Sequence, residues 1–338
     1  LLSKAEFATL ISGVTPELSE YLFARSRRVR EREYGQKVFI RGLIEFTNYC
    51  KNDCYYCGIR KSNLKVERYR LTKEEILECC AIGYDLGFRT FVLQGGEDAH
   101  FTDERMLEII TAIKANYIDC ALTLSIGEKS FETYQSFYKA GADRYLLRHE
   151  TACDTHYGQL HPAALSGAVR KQALWDLKRV GFQTGTGFMV GSPYQTPELL
   201  AEAMLFIHEL QPAMVGIGPF IPHHDTPFAH EKAGTAELTL FMLGLLRLML
   251  PKVLLPATTA LGTIENDGRE RGILAGANVV MPNLSPLDVR KKYLLYDNKI
   301  ATGTEAAEGL ESLRQLMSAI GYNVVIDRGD HGAMPLDP

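Results

Sequence analysis

Residues 90–150 read TFVLQGGEDAHFTDERMLEIITAIKANYIDCALTLSIGEKSFETYQSFYKAGADRYLLRHE. Three short runs rich in apolar and β-branched side chains, 90–93, 121–125 and 144–148, alternate with two segments of helical periodicity, 104–115 and 131–140. Gly141 stands where the second helix should stop, a place that favours a residue without a Cβ. Strands that alternate with helices in this way belong to an α/β fold.

The same alternation continues on both sides. Further strand-like runs lie at 38–46, 184–189, 214–217, 253–257 and 278–281, and further helical segments at 73–86, 168–180, 197–210 and 238–250. Gly87 and Gly181 mark two more helix ends, and Thr196 followed by Pro197 marks a helix start. Eight strands alternating with helices over about 250 residues predict a complete (β/α)8 TIM barrel, since a doubly wound open sheet usually needs fewer. Residues 1–35 read as an N-terminal helical extension, 36–300 as the barrel, and 301–338 as a closing helix (304–321) and tail. Chemistry is expected in the loops after the strands, at the C-terminal rim.

Composition narrows the class. Of 338 residues, 46% are hydrophobic and 23% charged, which excludes a disordered tail, a collagen-like fibre and a small disulfide scaffold. A net charge of −4 gives nucleic-acid binding little support. The longest largely apolar run, 238–250, is 13 residues with Arg247 inside it, so it reads as a packed helix and no membrane span is expected. No charged-then-apolar signal segment opens the sequence; it begins at Leu1, so a trimmed start and a cytoplasmic location are the expectations. Seven cysteines, at 50, 54, 57, 79, 80, 120 and 153, are odd in number and unevenly placed, and so read as reduced.

The strand ends carry the chemistry. The first is followed by Cys50-Lys-Asn-Asp-Cys54-Tyr-Tyr-Cys57-Gly58, the second by Gln94-Gly95-Gly96-Glu97-Asp98, and the fourth ends in Arg148-His149-Glu150-Thr151. Thr123, Thr258 with Thr259, and Met281 mark the third, seventh and eighth. Three thiolates on one short loop can converge on one metal centre. Structural zinc wants four ligands, and no fourth Cys or His lies at the usual spacing. Three thiolates suit a cubane iron–sulfur cluster with one iron left open for a small ligand. Unrelated core cysteines, or zinc completed by a distant histidine, are the alternatives. His223-His224-Asp225 reads as a surface loop, because one adjacent pair does not make a chelate. Cys79, Cys80 and Cys120 read as core filling.

The cysteine spacing, with Tyr56 directly before Cys57, resembles the radical S-adenosylmethionine (SAM) superfamily, and Gly95-Gly96-Glu97 resembles its GGE motif. Within it, 41–63 (RGLIEFTNYCKNDCYYCGIRKSN), 145–151 (YLLRHET), 215–222 (VGIGPFIP), 256–260 (PATTA) and 281–283 (MPN) resemble, in order over roughly 35–300, the HydE family of FeFe-hydrogenase maturases. Biotin synthase is a relative whose second-cluster cysteines are not found here. The resemblance implies that Cys50, Cys54 and Cys57 ligate a 4Fe–4S cluster whose open iron binds S-adenosyl-L-methionine. It implies cofactor contacts from Tyr56, Gly95, Gly96, Glu97 (to the amino group), Glu150 (to the ribose) and Arg170 (to the carboxylate). It further implies an anion-binding substrate site of Arg148, Thr123, Thr258 and Thr259, closed by Met281, Tyr293 and Tyr296.

The implied activity is reductive cleavage of SAM to a 5′-deoxyadenosyl radical. The implied substrate is a cysteine-bound iron carbonyl cyanide species, with an electron donor such as flavodoxin or ferredoxin and sister hydrogenase maturases as partners. One departure is plain: residues 290–338 contain no cysteine, so the accessory cluster of many HydE proteins should be absent. Two alternatives remain. One is a radical SAM enzyme with another substrate, such as an amino-acid mutase resembling methylornithine synthase; the other is a non-catalytic iron–sulfur scaffold.

Overall fold

The computed structural model describes residues 1–300 and 307–332. Two helices, Lys4–Ser12 and Pro16–Tyr34, come first, each opened by a hydroxyl cap: Ser3 accepts from Glu6 N–H and Thr15 from Leu18 N–H. Eleven strands follow among the described residues: β1 (Lys37–Ile40), β2 (Gly42–Thr47), β3 (Thr90–Gly95), β4 (Ala121–Ser125), β5 (Arg144–Leu146), β6 (Gln183–Thr186), β7 (Met189–Val190), β8 (Met214–Val215), β9 (Gly218–Pro219), β10 (Val279–Val280) and β11 (Asn323–Val325). All pair in parallel, in the orders β2-β3-β4-β5-β6-β8, β10-β1-β11 and β7-β9. Isolated parallel bridges join Met214 to Leu254, Pro256 to Val279 and Asn283 to Leu43. The fold is α/β with a parallel sheet whose helices, among them Lys73–Asp85, Asp103–Asn116, Phe131–Lys139, Gly167–Val180, Pro197–Leu210 and Ala236–Met249, lie in sequence between its strands.

The core is apolar and contiguous. Phe91, Leu93, Leu122 and Leu124 from the strands pack with Ile76, Ile110, Phe137, Leu174, Leu177, Ile207 and Leu246 from the helices, all essentially without exposure. Burial of such side chains contributes about 1.5–3 kcal/mol each. Cys79, Cys80 and Cys120 are buried among them. Among the described residues no helix is long and apolar enough to cross a membrane.

The structure differs from the sequence reading at the strand boundaries. The run 38–46 is two strands that change partner at Arg41: β1 pairs with β10 and β11, while β2 pairs with β3. The run 253–257 makes only isolated bridges, and Pro256 has no N–H to give a ladder. The closing helix is observed at Leu310–Ala319, after a 3-10 turn at Ala307–Gly309; residues 304–306 of that expectation, and the last six of the tail, lie outside the described residues. Strand β11, read as tail, pairs with β1, and the chain beyond it crosses the starts of β3, β5 and β6. There Asp330 meets Arg144 at 2.6 Å and Gln183 at 2.9 Å, Arg328 meets Asp143 at 2.8 Å, and the Arg328 carbonyl accepts from Thr90.

Candidate active site

The loop after β2 carries Cys50, Cys54 and Cys57, and its shape is set by polar groups on either side of it. Asn48 donates to the carbonyls of Glu67 and Lys292 and accepts from Tyr69 N–H at 2.8 Å. Arg68 donates to four carbonyls, those of Asn48, Ile59, Arg60 and Asn63. Asp53, inside the loop, accepts from Arg60 at 2.6 Å and from Ser62. The loop also touches the end of β3: Lys51 N–H donates to the Glu97 carbonyl at 2.9 Å. A Cβ on Gly96 would stand 2.2 Å from the Tyr49 carbonyl oxygen and 2.8 Å from Cys50 Cβ, so the loop passes here only over a glycine.

The three thiols share one loop and are half-buried. Burial raises all three above the usual thiol range, Cys57 to about 12, and their mutual repulsion adds to the effect at Cys54 and Cys57. Groups that resist ionisation alone yet share one loop are suited to ionise together on a cationic centre. Among the described residues only His223, His224 and Asp297 bring three such ligand atoms within 4.8 Å of one another. The three cysteine sulfurs therefore do not all lie within 4.8 Å of one another, whereas thiolates on one tetrahedral ion would sit roughly 3.8 Å apart, which fits a polynuclear centre. The His223 and His224 rings stack at 4.5 Å and 16°, so their lone pairs lie in near-parallel planes and are not aimed at one shared ion.

Beyond Gly96, Glu97 faces Arg170. Arg170, in the first turn of Gly167–Val180, lies 3.7 Å from Glu97 and 2.6 Å from Glu128, and Lys51 lies 3.2 Å from Glu97. Burial would lower the Arg170 pKa, but Tyr157, Glu128 and Glu97 outweigh it and hold the guanidinium charged. Gly127, at φ 79°, leaves room for Glu97: a Cβ there would stand 2.0 Å from Glu97 Cγ. Tyr56 is tied to His161 at 3.0 Å. Sequence reasoning missed Glu128, His161, Tyr157 and Arg68. Glu128 had a visible signal, lying in the loop after the third strand; the others had none.

Arg148 and Glu150 follow β5 and pair at 3.1 Å. Glu150 sits at φ 61°, a strained backbone for a residue with a side chain, held by its N–H to the Gly187 carbonyl at 3.1 Å. Burial raises its carboxyl pKa against the pull of Arg148 and Arg170. Arg148 Nε and Nη2, Glu150 Oε2, Thr123 Oγ1, Tyr157 Oη and Arg170 Nε are all out of reach of solvent without a hydrogen-bond partner, the two ion pairs being off the N–H axes. So many unmatched polar atoms on strand ends and the helices that follow them is the pattern of a site shaped for a polar ligand.

Thr258 stands just before the short helix Thr259–Ile264 and donates its hydroxyl to the Ile217 carbonyl at 3.3 Å instead of capping that helix. Tyr293 is buried under Lys299, 4.8 Å from its ring centre, and its hydroxyl meets Gln94. Tyr296 lies half-buried in the same segment. Met281 is partly buried and packs against the apolar cluster of Tyr34, Phe39, Met214, Leu254 and Val279.

Residues 44–207 match the Radical SAM superfamily. The chain is 43% identical to the [FeFe] hydrogenase maturase subunit HydE of Thermotoga maritima, over 90% of this chain and 86% of that one. This chain belongs to the radical SAM superfamily. The radical SAM chain is also 30% identical to 3-methylornithine synthase of Methanosarcina acetivorans, over 85% of this chain and 82% of the relative. Its fold matches the crystal structure of methylornithine synthase with a TM-score of 0.85 and 27% identity, covering 96% of this chain and 94% of the other. It also matches the maturase HydG from Carboxydothermus hydrogenoformans, at 0.82 and 21%, over 95% and 75%.

As a radical SAM enzyme it uses a 4Fe–4S cluster and S-adenosyl-L-methionine. The residues present fit both groups. The wide-set thiols suit a cubane, the glycine at 96 opens the approach beside Cys50, and the unmatched polar atoms of Arg170 and Glu150 lie where a zwitterionic nucleoside could be met.

Proposed function

We propose that this radical SAM enzyme acts in maturation of the FeFe-hydrogenase active site, on a cysteine-bound iron carbonyl cyanide species. The observation that carries the reading is the 43% identity to the Thermotoga maritima maturase subunit over 90% of the chain. Cys50, Cys54 and Cys57 would hold three irons of the cluster. Gly95, Gly96 and Glu97 would hold the amino group of the methionine part, Arg170 its carboxylate, Glu150 the ribose, and Tyr56 would pack beside the cofactor. When bound, the two cofactors supply one-electron cleavage of the sulfonium and so a 5′-deoxyadenosyl radical.

The chain's own part is binding, orientation and exclusion of water. Arg148, at Nε, and Thr123, at Oγ1, carry buried donors without partners, which supports an anionic substrate held between them and Thr258 with Thr259. Tyr293, Tyr296 and Met281 would form the closing wall. At the opposite end the Asp330–Arg144 contact favours a sealed base.

We also infer that the strands close into a complete (β/α)8 barrel over 36–300, with 1–35 as extension and 301–338 as closing helix and tail. The bridges at Leu254, Pro256 and Asn283 support this, since they continue the parallel pairing from β8 round to β2. All seven cysteines being free supports a reducing, cytoplasmic setting, with flavodoxin or ferredoxin as electron donor.

A second reading, an amino-acid mutase like methylornithine synthase, is favoured by the TM-score of 0.85 to that enzyme. One experiment separates the two. Anaerobically reconstituted, dithionite-reduced protein is assayed for 5′-deoxyadenosine with and without a synthetic cysteine-bound iron carbonyl cyanide complex, beside Cys54→Ala. Consumption of the complex with adenosyl transfer to it, lost in Cys54→Ala, supports maturation. Slow cleavage indifferent to the complex sinks it and turns attention to amino-acid substrates.

A further inference from the structure

Each cleavage needs one electron from outside the chain, and the surface beside the cysteine loop has features that the proposed chemistry does not otherwise use. Residues 51–70 hold six basic and two acidic side chains, a net of +4 in a chain whose net is −4. Both acids are matched, Asp53 by Arg60 at 2.6 Å and Glu67 by Lys292 at 2.6 Å, and acids outside the segment meet Lys51 (Glu97, 3.2 Å) and Arg70 (Asp98, 2.7 Å), which leaves the lysines of the tip as its exposed charge. Lys61 is exposed, and no ion pair is found for it among the described residues. Lys65 is exposed as well, touching Asp225 at 2.6 Å.

Between those lysines stands Leu64, 92% exposed. A single exposed leucine is ordinary on a loose loop. This one is held on a rigid support. Lys61 N–H donates to the Asn52 carbonyl, between Cys50 and Cys54, at 2.8 Å; Asn63 donates to the Gly58 carbonyl, next to Cys57, at 2.8 Å; and Lys65 N–H donates to Asn63 at 3.1 Å. Arg68 fastens the carbonyls of Arg60 and Asn63 from behind. The tip is thus tied by hydrogen bonds to the backbone flanking the cysteines.

The same face continues through the segment that supplies Asp225. Phe228 packs edge-on against Tyr55 of the cysteine loop at 6.0 Å and against Tyr194 at 6.3 Å. Tyr194 is itself exposed and held at φ 64°. An exposed apolar side chain flanked by two exposed lysines suits a small, transient docking site, in which the flanking charge sets encounter rate and partner choice.

We propose that Lys61, Leu64, Lys65 and Tyr194 form the docking surface for a small acidic redox protein that delivers the electron. The proposal rests on the radical SAM reading: the donor is oxidised by one electron, and the three-cysteine site takes that electron up. Proximity is the reason for the location, because electron transfer falls steeply with distance and this tip is tied to the loop that holds the acceptor.

The test compares two electron sources in the cluster-loaded protein, reduced flavodoxin and dithionite, reading 5′-deoxyadenosine. Lys61→Glu with Lys65→Glu, and separately Leu64→Ser, should raise the apparent KM for flavodoxin about tenfold or more. The charge variant should also flatten its salt dependence. Iron content and the dithionite-driven rate should stay unchanged. Lys139→Glu, an exposed lysine ending the helix Phe131–Lys139, is the matched charge control and should leave that KM unchanged. Unaltered flavodoxin kinetics in the tip variants, or an equal change in Lys139→Glu, overturns the surface. If a tip variant loses iron, Leu64→Ala and Lys65→Gln carry the same comparison. Failure of the unaltered protein to cleave SAM with dithionite would instead overturn the radical SAM reading, a separate result.

Discussion

The hydroxyl of Tyr56 lies 3.0 Å from Nε2 of His161, while Nδ1 of the same ring lies 3.0 Å from the Tyr157 carbonyl. A carbonyl only accepts, so Nδ1 carries the proton and Nε2 accepts from the phenol. Burial holds His161 down to about 4, so the ring is neutral near pH 7, and Tyr157 stacks on it at 4.0 Å. The aromatic before the last cysteine is thus fixed by a partner 105 residues away.

From this, His161→Phe should strand a buried phenol and loosen Tyr56, a loss of about 1–1.5 kcal/mol. SAM affinity of the anaerobic, cluster-loaded protein should fall about tenfold with iron content intact. His161→Gln, whose amide oxygen can accept, should recover part of it. Equal affinities in all three proteins would remove His161 from the site.

Gly96→Ala should act on the cluster. Its methyl group has no room beside the Tyr49 carbonyl and Cys50 Cβ, so the loop must move and Cys50 with it. Iron and visible absorbance after reconstitution should drop by more than half while far-ultraviolet circular dichroism is retained. Full cluster loading would show that the loop yields without cost.

Arg68→Met removes the donor to four carbonyls around the cysteine loop, and slower, incomplete reconstitution is expected. Lysine keeps the charge but not the planar fork, so Arg68→Lys should rescue only in part. The electron paramagnetic resonance signal of the reduced cluster should broaden in Arg68→Met. An unaltered signal at full iron content would leave Arg68 with no positioning role.

Lys299 and Glu45 form an ion pair with side chains only 7% and 1% exposed, and Asn283 donates to the same carboxylate at 2.8 Å. Lys299→Met leaves that carboxylate unpaired and should cost about 3–5 kcal/mol in denaturant unfolding of the metal-free protein. Adding Glu45→Gln should restore much of the loss. A single variant as stable as the parent would contradict the pairing.

Stability should fall on mild acidification. His149, by burial and then by Arg148, is held down to about 3, and His161 by burial to about 4, against an unfolded value of 6.5. Between those limits the unfolded chain binds protons that the folded chain refuses, so stability rises with pH there. Below about pH 6.5 each histidine removes about 1.4 kcal/mol per pH unit until its folded value is reached. Unfolding midpoints from pH 7.5 to 4.5 in the parent and in His149→Asn/His161→Gln measure this. The double variant should show a shallower slope, and identical slopes would assign the acid sensitivity to other groups.

Much of the fold was legible because strands and helices repeat with their own periods, and glycine and proline punctuate them. Boundaries were less so. Nothing in the run 38–46 shows that the chain exchanges one neighbour for another at Arg41, since β1 pairs with strands more than 200 residues away while β2 pairs with β3. The residues around 323–325 look like any short apolar stretch in a tail, yet they pair with β1.

The sequence by itself determined the α/β alternation and the cysteine triplet at a spacing suited to one centre. It also placed a glycine-rich acidic turn after the second strand. All three are local patterns, in which a few neighbouring residues carry the whole physical cause. The tertiary structure decided what those groups meet. Arg170 faces Glu97 and Glu128, His161 fixes Tyr56, Lys299 neutralises Glu45, and Asp330 meets Arg144 at the base. Such contacts join residues far apart in the chain, and their strength comes from shared burial, which no local spacing encodes.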